Sequence, residues 1–317
     1  MRVVVIGGSG HIGTYLTPRL AEAGHRVVNV SRSLRQPYQP HPAWTRVEQV
    51  KLDRTSEESA GNFGRKIAEA APDAVIDLTC YQLESARMLV EALRGRVRHF
   101  LHCGTIWVHG PSLEVPVRED QARNPISDYG RRKAEIEEYL LGEARLGNFP
   151  ATVLHPGHLV GRGWTPLNPT ANFNPAIFSD LAQGNEVSLP NLGRETVHHV
   201  HADDVAQAFV KSLENWSASV GENFHVASPA AVTLAGYAEC AASWFGKTAR
   251  LRFLPWEQWR GTVSERDAQV TWDHIARSPS CSIDKARRLL GYEPRYRSME
   301  AVHESVMALV AQGVVAV

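Results

Sequence analysis

The stretch Val3 to Gly13, VVVIGGSGHIG, restricts this chain more than any other. Val3 to Ile6 is a short apolar run rich in β-branched residues, as a strand buried on both faces would be. Gly7, Gly8, Gly10 and Gly13 follow, and Ile12, Tyr15, Leu16 and Leu20 recur at helical spacing. Strand, glycine turn and helix in that order suit a dinucleotide: bare backbone admits a pyrophosphate, and the unpaired N–H groups of the helix start hold its charge. Gly7, Gly10, His11, Ile12 and Gly13 are the candidate contacts. Two spacings overlap, Gly8-x-Gly10-x-x-Gly13 and Gly7-x-x-Gly10-x-x-Gly13.

Downstream, strand-like and helix-like segments alternate. Arg26–Val30, Val47–Leu52, Ala74–Leu78, His99–His102 and Ala151–Leu154 read as strands. Glu57–Ala71, Glu84–Leu93 and Asp128–Leu146 read as helices, and Pro18 should bend the first helix near Thr14. This pace predicts an α/β fold, a Rossmann-type doubly wound parallel sheet with a smaller C-terminal substrate-binding lobe. Residues 1–160 form the cofactor domain, with 194–228 returning to it; 161–193 and 229–317 form the lobe. Gly161–Pro175 reads as a loop that opens the lobe, and Thr196–His201 as a strand. Asp203–Asn215, Leu234–Gly246, Asp284–Leu290 and Met299–Ala311 read as helices. Ligands of such sheets sit at the carboxyl ends of strands, which brings Leu78, Thr79, Cys80, Thr105 and Pro156 to the cleft.

A dinucleotide site that prefers NAD usually has a carboxylate after the second strand, to hold the ribose 2′-hydroxyl. Here the sequence is Val30-Ser31-Arg32-Ser33. Ser31 and Arg32 could bond a 2′-phosphate, so NADP(H) is favoured over NAD(H); the bland alternative makes Arg32 and Arg35 solvated loop charges.

The 317 residues are 43% hydrophobic with a formal net charge of zero, which points to neither nucleic acid nor a membrane surface as partner. The chain begins directly with a strand, and its four cysteines are widely spaced. A cytoplasmic protein with reduced thiols is expected.

Tyr129-Gly-Arg-Arg-Lys133 places a phenol and an ammonium one helical turn apart. A phenol of pKa ~10 becomes a useful base near neutrality only at a cost of roughly 4 kcal/mol, for which the lysine and a bound nicotinamide are the candidate sources. With the glycine turn before it and Thr105 at a strand end, the pair reads as catalytic together with Thr105.

At this point the chain resembles the extended short-chain dehydrogenase/reductase family, the NAD(P)-dependent sugar epimerases and dehydratases, over nearly its full length. Gly7, Gly10 and Gly13 are similar to the family's GxxGxxG fingerprint. Gly104-Thr-Ile-Trp-Val-His-Gly110 resembles its Ser-Ser/Thr-x-x-Val-Tyr-Gly block, and Leu154-His-Pro-Gly157 its Arg-Pro-Gly turn. His199-Val-His-Ala-Asp-Asp-Val-Ala206 and Gly291-Tyr-Glu-Pro294 resemble two further motifs. The resemblance implies that Asp53 serves the adenine end and that Lys133 fixes the nicotinamide ribose and tunes Tyr129. It also implies hydride transfer at an alcohol or carbonyl carbon of a sugar-like or polyol substrate. Tyr129 would exchange the proton, and Thr105 would orient the same oxygen. A nucleotide-sugar 4-epimerase with tightly bound NAD is one alternative, and a non-catalytic NADP-sensing or RNA-associated protein another. A homodimer formed through Glu84–Leu93 and Asp128–Leu146 is implied as well.

Departures from the family concern the substrate. His158 and Val197 stand where nucleotide-sugar members use Asn and Arg on the diphosphate, although Arg162 or Arg194 could substitute. Trp107 and His109 reshape the pocket near Thr105. Tyr81, Trp107, His109, His158 and Arg162 are the candidate substrate contacts, with His158 also near the cofactor. His198, His199 and His201 cluster without a completing Asp, Glu or Cys set, so no metal is expected. Cys80 and Cys103 read as small buried hydrophobes near the cofactor.

Overall fold

The computed structural model describes residues 1–33 and 36–317, so Arg35 lies outside the described residues. β1 (Arg2–Ile6) passes through the glycine turn into α1 (His11–Glu22), and β2 (Arg26–Ser31) returns beside it. Then come β3 (Glu48–Lys51), α2 (Arg54–Ser59), α3 (Phe63–Glu69) and β4 (Ala74–Asp77). α4 (Leu83–Leu93), β5 (His99–Cys103), α5 (Asp128–Arg145) and β6 (Ala151–Pro156) continue the alternation. β7 (His158–Val160), α6 (Ala176–Gln183), β8 (Glu186–Pro190), β9 (Thr196–Val197) and β10 (His199–His201) follow. α7 (Ala202–Glu214), α8 (Trp216–Ser219) and β11 (Asn223–Val226) lead back to the sheet.

The result is a seven-stranded sheet of order β11-β6-β5-β4-β1-β2-β3, parallel at each pairing. β1 shows why the opening run is apolar throughout. Val3 and Val5 pack with Leu16 of α1 and Phe209 of α7. Val4 and Ile6 pack on the other face with Leu89 of α4 and Ile136 of α5. Strand order reverses between β1 and β4, which opens a crevice at their carboxyl ends. The glycine turn stands at that crevice.

Beyond β11 come β12 (Val232–Thr233), α9 (Leu234–Ser243), β13 (Arg250–Leu254), α10 (Trp256–Trp259), α11 (Glu265–Ile275), α12 (Asp284–Leu290) and α13 (Ser298–Ala311), all but α12 in the smaller lobe. Phe178, Leu181, Tyr237, Val302 and Val306 form its core. Among the described residues no helix is long and apolar enough to cross a membrane.

Some expectations need correction. The single helix over Glu57–Ala71 is two, α2 and α3, because Gly61 at φ +68° ends the first in the left-handed region. The strand over Thr196–His201 is also two. The chain changes partner at His198, with β9 pairing antiparallel to β12 and β10 parallel to β7. α12, expected in the lobe, instead packs Ala286 and Leu290 into the sheet core beside α7. Pro18 does not divide α1, which is one helix over His11–Glu22.

Candidate active site

The glycine turn is built by close approach. Gly7 has φ +87°, and a Cβ there would lie 2.4 Å from the Thr79 methyl. A Cβ on Gly13 would lie 2.2 Å from the Gly8 carbonyl oxygen, so the helix start is locked against the turn. Gly10 differs: its Cβ would meet only the Gly7 oxygen, at 3.1 Å, which leaves its outer side open to a ligand. His11 and Ile12 are buried in the first turn of α1. The His11 ring stacks on Trp164 at 4.9 Å, and both its nitrogens are buried without a partner. Burial, with His201 nearby, pushes its pKa down to about 3, so it is neutral. Bare backbone, a twelve-residue helix start and an orphaned neutral imidazole fit the pyrophosphate of a dinucleotide.

Around the turn, Ser31 closes β2 and donates its hydroxyl to the Ser33 carbonyl, while Arg32 is exposed. Asp53 spends one carboxylate oxygen capping α2 through the Ser56 N–H, at 3.0 Å. The Leu78 N–H continues the sheet to the Ile6 carbonyl, and the Thr79 N–H bonds Asp77. Asp77 is fully buried, and the Arg54 guanidinium reaches both its oxygens at 2.9 Å. This pair under the crevice escaped the sequence reading.

Tyr129 and Lys133 lie one turn apart on α5, and their environments differ. Lys133 is 2% exposed, which excludes a solvated surface pair. Its ammonium donates to the carbonyls of Cys80 at 2.8 Å and Cys103 at 2.6 Å, and it sits 4.8 Å over the Tyr81 ring. Burial lowers its pKa. Tyr129 stands at the mouth, 41% exposed, with Tyr81 at 6.4 Å and Trp107 edge-on at 5.8 Å. Desolvation by the surrounding protein raises its pKa, and the Thr105 side chain beside it acts in the opposite direction. Two of the three ammonium protons go to these carbonyls, which leaves the charge of Lys133 and a third N–H. Thr105 caps the short 3-10 turn Ile106–His109, accepting the Trp107 N–H at its hydroxyl oxygen. The Thr105 hydroxyl proton is then free to point elsewhere.

The substrate side is aromatic. Trp107 carries the Arg277 guanidinium at 3.7 Å on its face and meets His274 at 5.1 Å. His274 meets His158 at 5.0 Å, and burial holds the pKa of both imidazoles low. Pro156 ends β6 just before them. His109 was expected in this pocket and is not there. It is buried, with Nε2 at 2.7 Å from His225 Nε2 and Nδ1 beside Arg123. Arg162 is exposed, and its backbone N–H bonds Glu304 of α13 at 3.3 Å. Val197 is wholly buried in the lobe core. Among the described residues no group of three or more His, Cys, Asp or Glu could hold a metal ion.

The profile of the NAD dependent epimerase/dehydratase family matches residues 3–227. The 2'-dehydrokanamycin reductase of Streptomyces kanamyceticus is 31% identical over 228 residues, 72% of this chain and 62% of that protein. The chloroplast stem-loop binding protein of 41 kDa b of Arabidopsis thaliana is 25% identical, over 96% of this chain and 78% of its own length. Among solved structures, the UDP-glucose 4-epimerase of Thermotoga maritima with UDP-glucose superposes with a TM-score of 0.74. It is 20% identical and covers 98% of this chain and 99% of its own.

Proposed function

The chain belongs to the NAD dependent epimerase/dehydratase family, and from that premise we propose an NADP(H)-preferring oxidoreductase of sugar-like or polyol substrates with Tyr129 as acid/base. At the coarser level it is an NAD(P)-dependent oxidoreductase or epimerase. The observation that carries the finer reading is the Tyr129 phenol beside the Thr105 side chain, at the mouth of the crevice, with Lys133 buried behind. The nicotinamide cofactor, when bound, supplies the acceptor or donor of the hydride.

The chain's own residues supply the rest. The glycine turn and Thr79 would hold the pyrophosphate end, and Ser31 and Arg32 the adenosine ribose. Lys133 would hold the nicotinamide ribose. Thr105 donates a hydrogen bond to the substrate oxygen, and Tyr129 gives that oxygen a proton or takes one from it. Trp107 would line the pocket beside Tyr129.

Net reduction or oxidation is favoured over nucleotide-sugar epimerisation. Val197, at the position where nucleotide-sugar relatives use an arginine, is sealed in the core, and the reductase from S. kanamyceticus is 31% identical over 72% of this chain. The similarity to the chloroplast stem-loop binding protein favours a second reading, an RNA-associated role. The intact Tyr129 and Lys133, and a formal net charge of zero, weigh against it. Oxidation of NADPH and NADH, and reduction of NADP+ and NAD+, against hexoses, polyols and small carbonyls decides between these readings. Turnover with NADP(H) is expected; inertness across the set together with RNA binding would favour the second.

We further propose residues 1–160 with 194–228 as the cofactor domain, a cytoplasmic location in keeping with four free cysteines, and a homodimer through the outer faces of α4 and α5. Sedimentation at micromolar concentration tests the last; a monomer would refute it.

A further inference from the structure

Behind the reactive face of α5 lies a second set of buried polar groups. Tyr129, Lys133 and Glu137 are spaced i, i+4, i+8 and form one stripe of that helix. Glu137 is the inner end of the stripe. Its carboxylate receives the Arg123 guanidinium at 2.8 and 2.6 Å, as well as the Asn223 amide of β11. His155 of β6 is fully buried with Nε2 at 3.1 Å from the same carboxylate. On its other side His155 Nδ1 accepts the backbone N–H of Thr105 at 3.0 Å.

These contacts define the protonation state by geometry. A ring nitrogen that accepts an N–H carries no proton, so the proton of a neutral His155 is on Nε2, facing Glu137. The local sequence makes room for this arrangement: a Cβ on Gly104 would lie 2.5 Å from His155 Nδ1, so a side chain there would push the ring off Thr105. Arg123 and Asn223 fix Glu137, the Glu137 carboxylate stands 3.1 Å from the Nε2 side of the ring, and Nδ1 holds the Thr105 main chain.

We infer that Glu137 and His155 are a positioning pair for Thr105, holding its backbone so that its hydroxyl meets Tyr129 and the substrate oxygen. The catalytic meaning of the pair rests on the function proposed above; the pair itself rests on the geometry. Neither residue touches substrate or cofactor in this role.

The test uses the full chain labelled with ¹⁵N-histidine and ¹⁵N-threonine, read by NMR at neutral pH. The unmutated protein should show His155 as the Nε2–H tautomer and a slowly exchanging Thr105 amide. His155→Leu should speed exchange of that amide at least about tenfold, while His155→Gln, whose amide oxygen can accept the same N–H and whose NH₂ can face Glu137, should restore protection. An Nδ1–H tautomer in the unmutated protein overturns the pair whether or not any variant folds. So does a Thr105 amide unchanged by His155→Leu.

With NADP+ and the hexose or polyol that turns over best, His155→Leu should lower kcat at least about tenfold at unchanged KM for NADP+, and His155→Gln should recover most of it. Tyr129→Phe separates the two claims. If it keeps full turnover, the proposed reaction falls and the pair stands. If it loses turnover while His155→Leu keeps kcat, the pair falls and the reaction stands.

Discussion

The Lys133 ammonium lies 2.6 Å from the Cys103 carbonyl oxygen, and this bond ties α5 to the end of β5. A second bond, to Cys80 beyond β4, spans the neighbouring strand, so one buried charge braces the edge of the sheet where the site lies. Lys133→Met would leave two carbonyls without their donor. It is expected to lower stability by roughly 2–4 kcal/mol as well as abolish turnover. Urea unfolding measures the first effect; a variant as stable as the parent would show that the two bonds contribute nothing.

The glycine turn separates folding from binding. Gly10→Ala adds a methyl that meets only the Gly7 oxygen, at 3.1 Å, so stability should change by less than about 1 kcal/mol. The same methyl narrows the open side of the turn, and NADP+ affinity should fall at least about tenfold. Gly13→Ala places its methyl 2.2 Å from the Gly8 oxygen and should cost at least about 2 kcal/mol. Thermal unfolding and calorimetric titration on both variants check the contrast.

Cofactor choice is expected to rest on Arg32. Arg32→Glu replaces a charge that suits a 2′-phosphate with one that repels it, so NADP+ affinity should fall about tenfold or more and NAD+ affinity should hold or rise. Paired titrations with the two cofactors measure this. Equal binding of NADP+ before and after the change would remove Arg32 from the site.

Glu137 gives the fold an acid-sensitive element. Burial opposes its charge, but the Nε2–H of the neighbouring His155 ring and the Arg123 guanidinium outweigh burial and hold its pKa well below the ordinary carboxylate range. Its folded value thus lies below the unfolded value of ~4.3, so its contribution is complete above that pH and is lost as pH falls further. Glu137→Gln should cost about 3 kcal/mol at pH 7, because the half-buried Arg123 loses its counter-charge, and the gap to the parent should narrow towards pH 3. Denaturant midpoints across that range decide; a gap independent of pH would contradict the sign.

Much of the fold was legible because its signals are local. The β1 run, the glycine turn and the helices α4, α5 and α12 follow from periodicity and backbone freedom within a dozen residues. What escaped depends on long-range pairing. The short alternation in EVSLP and RLRFL was readable, but the pairing of β8 with β13, across about sixty residues, was not. At the site, Tyr129, Lys133 and Thr105 could be read from spacing. The inward turn of His109 towards His225, 116 residues away, could not. Glu137 was within reach, since it continues the i, i+4 stripe by one more turn.

The central claim is that the Tyr129 phenol moves the proton of the reaction. Removing its hydroxyl in Tyr129→Phe tests this with a single atom. NADP+ affinity and the melting temperature should stay near those of the parent, and kcat on the best hexose or polyol should fall by about 10²–10⁴-fold. A phenylalanine variant that retains turnover within a few-fold of the parent would contradict the account.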